Sequence, residues 1–537
     1  MPCEISGLQP VSSWIELIRD RRDSFDGRLH QIYGDNDELK IEAARMCLCC
    51  LGAFAAKYGA DRNVMIIRSA GRVNLLGTHI DHRGGSVNPI AVKHMWLVVE
   101  PRDDDLVLAK NFESNDFADE QFSISRCLPA GGKIENWDAW CYDEFEKRRN
   151  DPSVSWSNYI RAAVLYLQHL NTKDDGSFQQ AIRGMNMMVY GNVPRAAGLS
   201  SSSALVTLTA EALVRINGLQ IDSIRLAEHC GHAEWYVGTR GGFSDHAAIT
   251  FGQPNSLLHI TAFPMTIDNA AFAAGYGFVL ANSLIKAKKQ AGARDAFNSR
   301  VAAYVFGLMM IRKNFPQYAG KLRHLRDVNP ETLGAGQAEI YRIVRSLPAS
   351  ACRADTLEFL PECEQDVRNV FRSHAEPREG YPVRQVCLYG IAECIRAEMA
   401  PQCLRAGDMK TFGEIINTSH DGDRVTKLVA GRRVSTDNSY PEERIDALIG
   451  DLGSGDAGRI SRAELWRQGG GYNVSLPELD TLVDIALATE GVIGAGLVGA
   501  GMGGCVVAVV EDEHARRLIE NMTEQYYQPR NLPVRAE

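Results

Sequence analysis

Two carboxylates, Glu234 and Asp245, stand eleven residues apart in AEWYVGTRGGFSDHAAITFG, with a helix-like end and a glycine-rich turn between them. Such spacing lets both point back at one place. Beside a bound phosphate, one carboxylate of this kind can hold Mg2+ while the other faces a substrate hydroxyl. A solvated glutamate and a helix-capping aspartate fit the same spacing equally well. A candidate phosphate cradle lies upstream in GNVPRAAGLSSSSAL, Gly191 to Leu205. Small side chains let backbone N–H groups close around an anion, and a helix starting within the serines adds its positive end. Serine and glycine runs also make flexible linkers. The flanks favour the cradle, because MNMMVYGNV before it reads as a strand and ALVTLTAEALVRI after it has helical apolar spacing. No Lys follows, so this is not the GxxxxGKS/T phosphate loop.

GRVNLLGTHIDHRGG, Gly71 to Gly85, packs Arg72, His79, Asp81, His82 and Arg83 among glycines that permit tight turns. Asp and His at this spacing can hydrogen-bond several hydroxyls, and Arg72 can pair with a phosphate or orient a carboxylate. For His82 and Arg83 a plain polar turn is an equal reading. The HxDH grouping could also ligate a metal, although the sequence offers no comparable cluster to complete the site. Near the C-terminus, GAGLVGAGMGGC matches GxGxxG at Gly494 to Gly499. A helix precedes it, a strand follows, and 38 residues remain beyond it, so a dinucleotide-binding βαβ unit with its acidic ribose ligand does not fit. These glycines read instead as a turn where backbone approaches a ligand or another segment.

The elements that must position these residues follow from composition and periodicity. With 537 residues the chain exceeds one ordinary domain, and two or more are expected. A net charge of -9 argues against general nucleic-acid binding, which needs a basic face, but not against binding one nucleotide. The Met-Pro-Cys-Glu start lacks the basic and apolar regions of a signal peptide. The uncharged stretch Gly491–Val510 holds seven glycines and is bounded by Glu490 and Glu511, so it reads poorly as a membrane span. Thirteen scattered cysteines point to a reducing, cytoplasmic setting, with Cys47, Cys49 and Cys50 as small buried hydrophobes. Residues 1–60 read as mainly helical; VMIIRSA, GRVNLL, WLVVEP and LVLAKN read as short strands; Trp156–His169 and LAEHCGHAEWYVG read as helices. Between about 315 and 470 lie helical stretches and two polar segments, 372–382 and 428–470, that resemble insertions.

Together these segments resemble the GHMP sugar and isoprenoid kinases, and among them the galactokinase branch. GRVNLLGTHIDH is similar to that branch's GRVNLIGEHTDY, VPRAAGLSSSSA to its VPxGxGLSSSAA, and GAGMGGC to its GAGFGGC. Lesser matches follow in order: Trp156 to Tyr159, Asn282-Ser283, Phe297 to Arg300, Gly407-Asp408 through Thr418-Ser419-His420, and Val474-Ser475 with Pro477 to Asp480. The resemblance implies an α+β fold of two domains, an N-terminal one like ribosomal protein S5 domain 2 and a C-terminal ferredoxin-like one, with ATP and sugar between them. It implies a helical extension and the start of the sugar-binding region over 1–60. The N-terminal domain would then cover 61–270 and the C-terminal domain 271–537, with insertions within about 315–470.

Carried over by motif, Asp245 faces the anomeric hydroxyl with Arg72 beside it. Ser202 and Glu234 hold Mg2+, and the backbone of Gly198, Leu199, Ser200, Ser201, Ser202 and Ser203 cradles the phosphates of ATP, with Gly501, Gly503 and Gly504 lining the site. Thr78, His79, Asp81, His82 and Phe297 meet the sugar. The implied protein is a cytoplasmic monomer or small homo-oligomer whose partners are a small-molecule sugar and ATP, without nucleic acid or membrane. It phosphorylates C1 of galactose or a galactose-configured sugar.

Departures concentrate at the sugar. Thr78 stands for the branch's Glu, His82 for its Tyr, Phe297 for the Tyr of AYNxR and Ala70 for the Pro before GR, while Gly496 replaces a frequent Arg. A Glu facing C6 suits a hydroxyl and repels a carboxylate, and Thr78 removes that charge. Plant galacturonate kinases are similar here, so a galacturonate 1-kinase is an alternative expectation. A second is a sugar-sensing regulator without turnover, against which stand the full-length serine loop and both carboxylates.

Overall fold

Alternation along the strands of the first half decides what lies on each side of its sheet. The computed structural model describes residues 5–21, 23–148, 155–195, 197–239, 241–285 and 291–537. Contacts divide the chain into two units: Met1–Arg72, Ile90–Arg195 and Leu199–Leu258 in the first, Val73–Pro89, Ala196–Gly198 and His259–Glu537 in the second. The first unit is built on a six-stranded sheet. Its strands are β1 (Ile5–Pro10), β2 (Asn63–Leu76), β3 (Asn88–Pro101), β4 (Leu106–Asn111), β5 (Glu120–Ser123) and β6 (Met185–Gly191). They lie in the order β1-β2-β3-β6-β4-β5, with β4 and β6 parallel.

Successive strand residues point to opposite faces. Val64, Ile66, Trp96 and Val98 therefore join one core with α1 (Val11–Arg19), α2 (Asp23–Tyr33) and α3 (Asp37–Tyr58). Met65, Ile67, Leu97 and Val99 join the other, with α4 (Ser157–Leu170) and α5 (Ser201–Asn217). The helical N-terminal region thus covers one face of this sheet, pinned by the Trp14 indole donating to the Val64 carbonyl at 3.0 Å. Cys47 and Cys50 are buried in that layer as expected, while Cys49 is half-buried.

VMIIRSA and GRVNLL, read as two runs, form one 14-residue strand, β2. Gly71 in its interior is explained by approach rather than by a turn: a Cβ there would lie 2.8 Å from both the Leu199 carbonyl and Val193. After β6 come α5, α6 (Ser223–Ala233), a single 3-10 turn at Glu234–Val237, and α7 (Ser244–Phe251).

In the second unit, β9 (Tyr276–Asn282) pairs with β13 (Cys505–Glu511), which pairs with β12 (Val492–Leu497), all antiparallel. The chain end extends this sheet, with Asn282 N–H bonding the Arg535 carbonyl at 2.9 Å and Glu537 N–H the Leu280 carbonyl at 3.0 Å. Two hairpins, β7 (Ser256–Thr261) with β8 (Thr266–Ala271) and β10 (Thr426–Val429) with β11 (Arg432–Ser435), complete the strands. Around the sheet lie α8 (Ala291–Asn314), α9 (Val383–Ala406), α10 (Met409–Asp423) and α11 (Pro477–Leu487). The fold is α+β.

Of the GAGLVG segment, read as a turn, residues 494–497 belong to strand β12, and the turn begins only at Gly499. Glycines on both sides admit helix α10 at close range: a Cβ on Gly494 would sit 3.0 Å from the Gly413 carbonyl, and one on Gly413 would sit 2.2 Å from the Ile493 carbonyl. The polar stretch 428–470 carries helices Glu442–Leu452 and Ala457–Arg462 besides β11. No helix among the described residues is long and apolar enough to cross a membrane.

Candidate active site

Helix α5 begins within the serines, at Ser201, and its N-terminal turn organises the chemistry of the first unit. Ser200 precedes it with φ 56°, the left-handed region that costs a non-glycine residue energy, and its side chain makes no capping hydrogen bond. A serine here ordinarily bonds a backbone N–H of the first turn. Ser200 instead donates its hydroxyl to Asp245 Oδ2 at 2.6 Å. The first-turn N–H groups of α5 and the positive end of its dipole are left for an anion.

Arg72, from the end of the first unit's part of β2, closes on Asp245 in a fork: Nε to Oδ1 and Nη2 to Oδ2, both 2.7 Å. Gly71 allows this by letting β2 lie against the serine loop, where Arg72 N–H bonds the Leu199 carbonyl at 3.1 Å. Burial pushes the Asp245 carboxyl up, but the Arg72 charge, its hydrogen bonds and the Ser200 hydroxyl outweigh it, and the group is held below its ordinary value. At neutral pH Asp245 is an oriented carboxylate.

Glu234 opens the 3-10 turn after α6 and is 6% exposed. Its Oε1 accepts from the Ser203 hydroxyl at 2.9 Å, and His246 Nε2 lies 3.6 Å from the same oxygen. The two carboxylates singled out by their spacing therefore converge on one turn of α5, Asp245 through Ser200 and Glu234 through Ser203. Ser202, which the galactokinase resemblance makes a metal ligand beside Glu234, is half-buried in the same turn.

In the second unit, the GTHIDHRGG segment is anchored from below. Gly77 N–H bonds Glu393 Oε1 at 2.6 Å; Glu393 and Arg396 form a fully buried ion pair at 2.8 Å. Gly77 (φ 80°) must be glycine, because a Cβ would meet the Ser86 carbonyl at 2.0 Å. Thr78 is buried, with its hydroxyl 3.4 Å from Tyr389 Oη, which in turn bonds Asp423 Oδ2 at 3.3 Å. His79 stacks on Tyr472 at 4.2 Å and sets Nε2 3.6 Å from Asp423 Oδ1. Asp81 Oδ1 accepts from the His82 backbone at 2.8 Å and lies 3.1 Å from its Nδ1. Burial lowers the His82 pKa despite Asp81, so the ring is neutral at pH 7. Phe297 is half-buried near the start of α8, one turn before Arg300, whose guanidinium holds the Tyr472 and Asn473 carbonyls.

The glycine loop Val498–Gly504 packs backbone to backbone on Ala197 and Gly198. Cys505 N–H bonds the Ala197 carbonyl at 3.1 Å, and a Cβ on Gly198 would lie 2.6 Å from the Val498 carbonyl. Gly501 accommodates Val474, whose carbonyl a Cβ would meet at 2.5 Å. Ala196, beside Ala197 in the sequence, lies outside the described residues.

Family models match where these features lie. The GHMP kinases N terminal domain matches residues 158–253, which hold the serine loop, Glu234 and Asp245. The GHMP kinases C terminal model matches 448–528, and the galactokinase galactose-binding signature matches 52–100. The chain belongs to the GHMP kinases, in their galactokinase branch.

Galactokinases are also its curated relatives. That of Roseiflexus sp. (strain RS-1) is 27% identical, covering 88% of this chain and 90% of its own length. That of Halalkalibacterium halodurans is 26% identical, over 86% of this chain and 88% of its own. Among solved structures, a Lactococcus lactis galactokinase complexed with galactose has the same fold, with a TM-score of 0.61, 19% identity and coverage of 93% and 97%.

For a GHMP kinase, the lesser motif matches turn out to hold framework. Ser283 bonds the Gly504 carbonyl at 2.7 Å, and Ser475 bonds Asp480 at 2.6 Å, with His420 Nε2 3.3 Å from the same carboxylate. Sequence reasoning did not find Tyr389, Asp423 or Tyr472 beside the sugar-signature segment, nor the hydroxyl roles of Ser200 and Ser203. Tyr389 lies in an ordinary helical run and Asp423 at a helix end, with no local signal. For Ser203 a signal existed, since it fills the first Ala position of GLSSSAA.

Proposed function

We propose that this GHMP kinase is an ATP-dependent sugar 1-kinase, transferring the γ-phosphoryl group to the anomeric hydroxyl of galactose. The observation that carries the reading is the convergence of Asp245, forked by Arg72, and Glu234 on the uncapped first turn of α5. The curated galactokinases of similar length support the choice of sugar. Phosphoryl transfer asks a protein chiefly to align the reactants and stabilise charge on the transferred group. Asp245, with both oxygens engaged and its pKa held down, is a weak base in the ground state. Its first task is to orient the sugar hydroxyl, accepting the proton as bond formation advances.

The donor set at Glu234, a buried carboxylate beside the Ser203 hydroxyl, suits a hard divalent cation. Ser202 and Glu234 would hold Mg2+, which when bound offsets charge on the β- and γ-phosphates. The N–H groups from Gly198 to Ser203 would take phosphate oxygens, with Gly501, Gly503 and Gly504 supporting the loop. His79 and Asp81 would bind ring hydroxyls. Asp245→Asn tests the assignment: turnover should fall at least about a thousandfold with ATP binding retained, and near wild-type kcat would remove Asp245 from this role.

One observation favours galacturonate as a second reading. Among the described residues Arg83 has no side-chain hydrogen bond, its Nε is buried, and no carboxylate lies within ion-pair distance. It lies close enough to Tyr304 and Tyr472, themselves stacked, to interact electrostatically with both. Asp81 also interacts with this half-buried guanidinium electrostatically, beyond ion-pair distance, and a sugar carboxylate would bring a counter-charge into direct contact. Side-by-side kcat/KM for galactose and galacturonate, in wild type and Arg83→Met, decides between them. A galactose preference that Arg83→Met leaves untouched ends the uronate reading.

A further inference from the structure

Ser203 is 2% exposed, on the inner side of the first turn of α5. It occupies a position where the galactokinase motif carries Ala, and a solvent-facing hydroxyl would be of no consequence there. This one is aimed inward at Glu234 Oε1, 2.9 Å away. Behind the same oxygen stands His246, 1% exposed, with neither ring nitrogen hydrogen-bonded and Nε2 at 3.6 Å. Ser203 is therefore the sole side-chain hydrogen-bond donor to Oε1 among the described residues, and none bonds Oε2.

We propose that Ser203 is a positioning residue for the Mg2+ site: its hydroxyl fixes Glu234 Oε1 so that Oε2 is the oxygen presented to the metal. The inference rests on the reading that Glu234 holds Mg2+. A carboxylate without that bond can rotate and engage its oxygens in several ways, and an ordered hydroxyl removes this freedom before the ion arrives. Groups that orient a ligand in this way typically change metal affinity by about 10–100-fold. The substitution Ser203→Ala removes one oxygen from a helical position that suits alanine, so loss of the helix does not confuse the result.

The test compares wild type, Ser203→Ala, Ser203→Thr and Glu234→Gln. Mn2+ binding is measured by electron paramagnetic resonance in the presence of a non-hydrolysable ATP analogue, alongside the Mg2+ concentration for half-maximal rate, the sugar KM and Tm. Ser203→Ala should weaken Mn2+ binding and raise the Mg2+ requirement about tenfold, with sugar KM and Tm nearly unchanged, and Ser203→Thr should restore both. Mn2+ affinity within twofold of wild type in Ser203→Ala, while Glu234→Gln loses the ion, overturns the role of Ser203 alone. Wild-type affinity in Glu234→Gln overturns the assignment of Glu234 and this inference with it. A loss in Ser203→Ala that tracks a fall in Tm and is not rescued by threonine reduces Ser203 to packing.

Discussion

Ser200 gives its hydroxyl to Asp245 at 2.6 Å and leaves the helix it precedes uncapped. A residue in the left-handed region, at the start of the helix proposed to bind phosphate, is thus held in place by the carboxylate proposed to meet the acceptor hydroxyl. The proposed phosphate cradle and the proposed reacting carboxylate are coupled through the Ser200 side chain, so the two can be separated by mutation.

Ser200→Ala and Ser200→Gly both remove that hydrogen bond, but only glycine tolerates φ 56° without strain. Both should lower kcat by a similar factor, about tenfold or more for a bond to a charged group. The glycine variant should be the more stable by about 1 kcal/mol. Parallel kinetics and urea denaturation check this; equal stability of the two would show that the backbone there is not strained.

The pH response of Asp245 follows from Arg72. The folded carboxyl lies below its ordinary value of 3.8, so the stability it contributes is present above that value and is lost as pH falls through the folded pKa. Removing the guanidinium in Arg72→Met takes away the largest influence that opposes burial and leaves the Ser200 hydroxyl as the remaining hydrogen-bond donor. The acid limb of the residual activity should then move upward by about one unit or more. An unmoved limb in a pH–rate profile would show that Arg72 does not set the ionisation.

Close packing of α10 on β12 predicts asymmetric effects of adding one methyl group. Gly413→Ala places a Cβ against the Ile493 carbonyl and should destabilise by about 1–3 kcal/mol. Gly450→Ala, with nothing within 4 Å in the exposed helix Glu442–Leu452, should stabilise by about 0.5–1 kcal/mol. Chemical denaturation of the pair would contradict the packing if both moved in the same direction.

Beneath Gly77, neutralising one member of a fully buried ion pair leaves the other uncompensated. Glu393→Gln should cost about 3–5 kcal/mol of stability. Its effect on the galactose KM should exceed its effect on kcat, because the turn carrying Thr78 and His79 loses its anchor. A variant with wild-type denaturation midpoint and KM would show that the pair does not hold the segment.

The sequence by itself determined the parts that are written in contiguous residues. The serine loop at a helix start, the GRVNLLGTHIDH segment and many of the strands and helices follow from local composition and order, because strand and helix periodicities and glycine-dependent turns are short-range; the α+β fold and the family follow from the resemblance that the ordered motifs carry. Tertiary structure decided what those parts touch. That Ser200 meets Asp245, that Ser203 rather than Ser202 meets Glu234, and that Tyr389, Asp423 and Tyr472 surround the Thr78 segment depend on contacts across tens to hundreds of positions. The same holds for GAGLVG. Read alone it is a glycine-rich turn where backbone approaches another segment; pairing with β13 makes residues 494–497 strand, and the approach is that of Gly494 to Gly413 of α10.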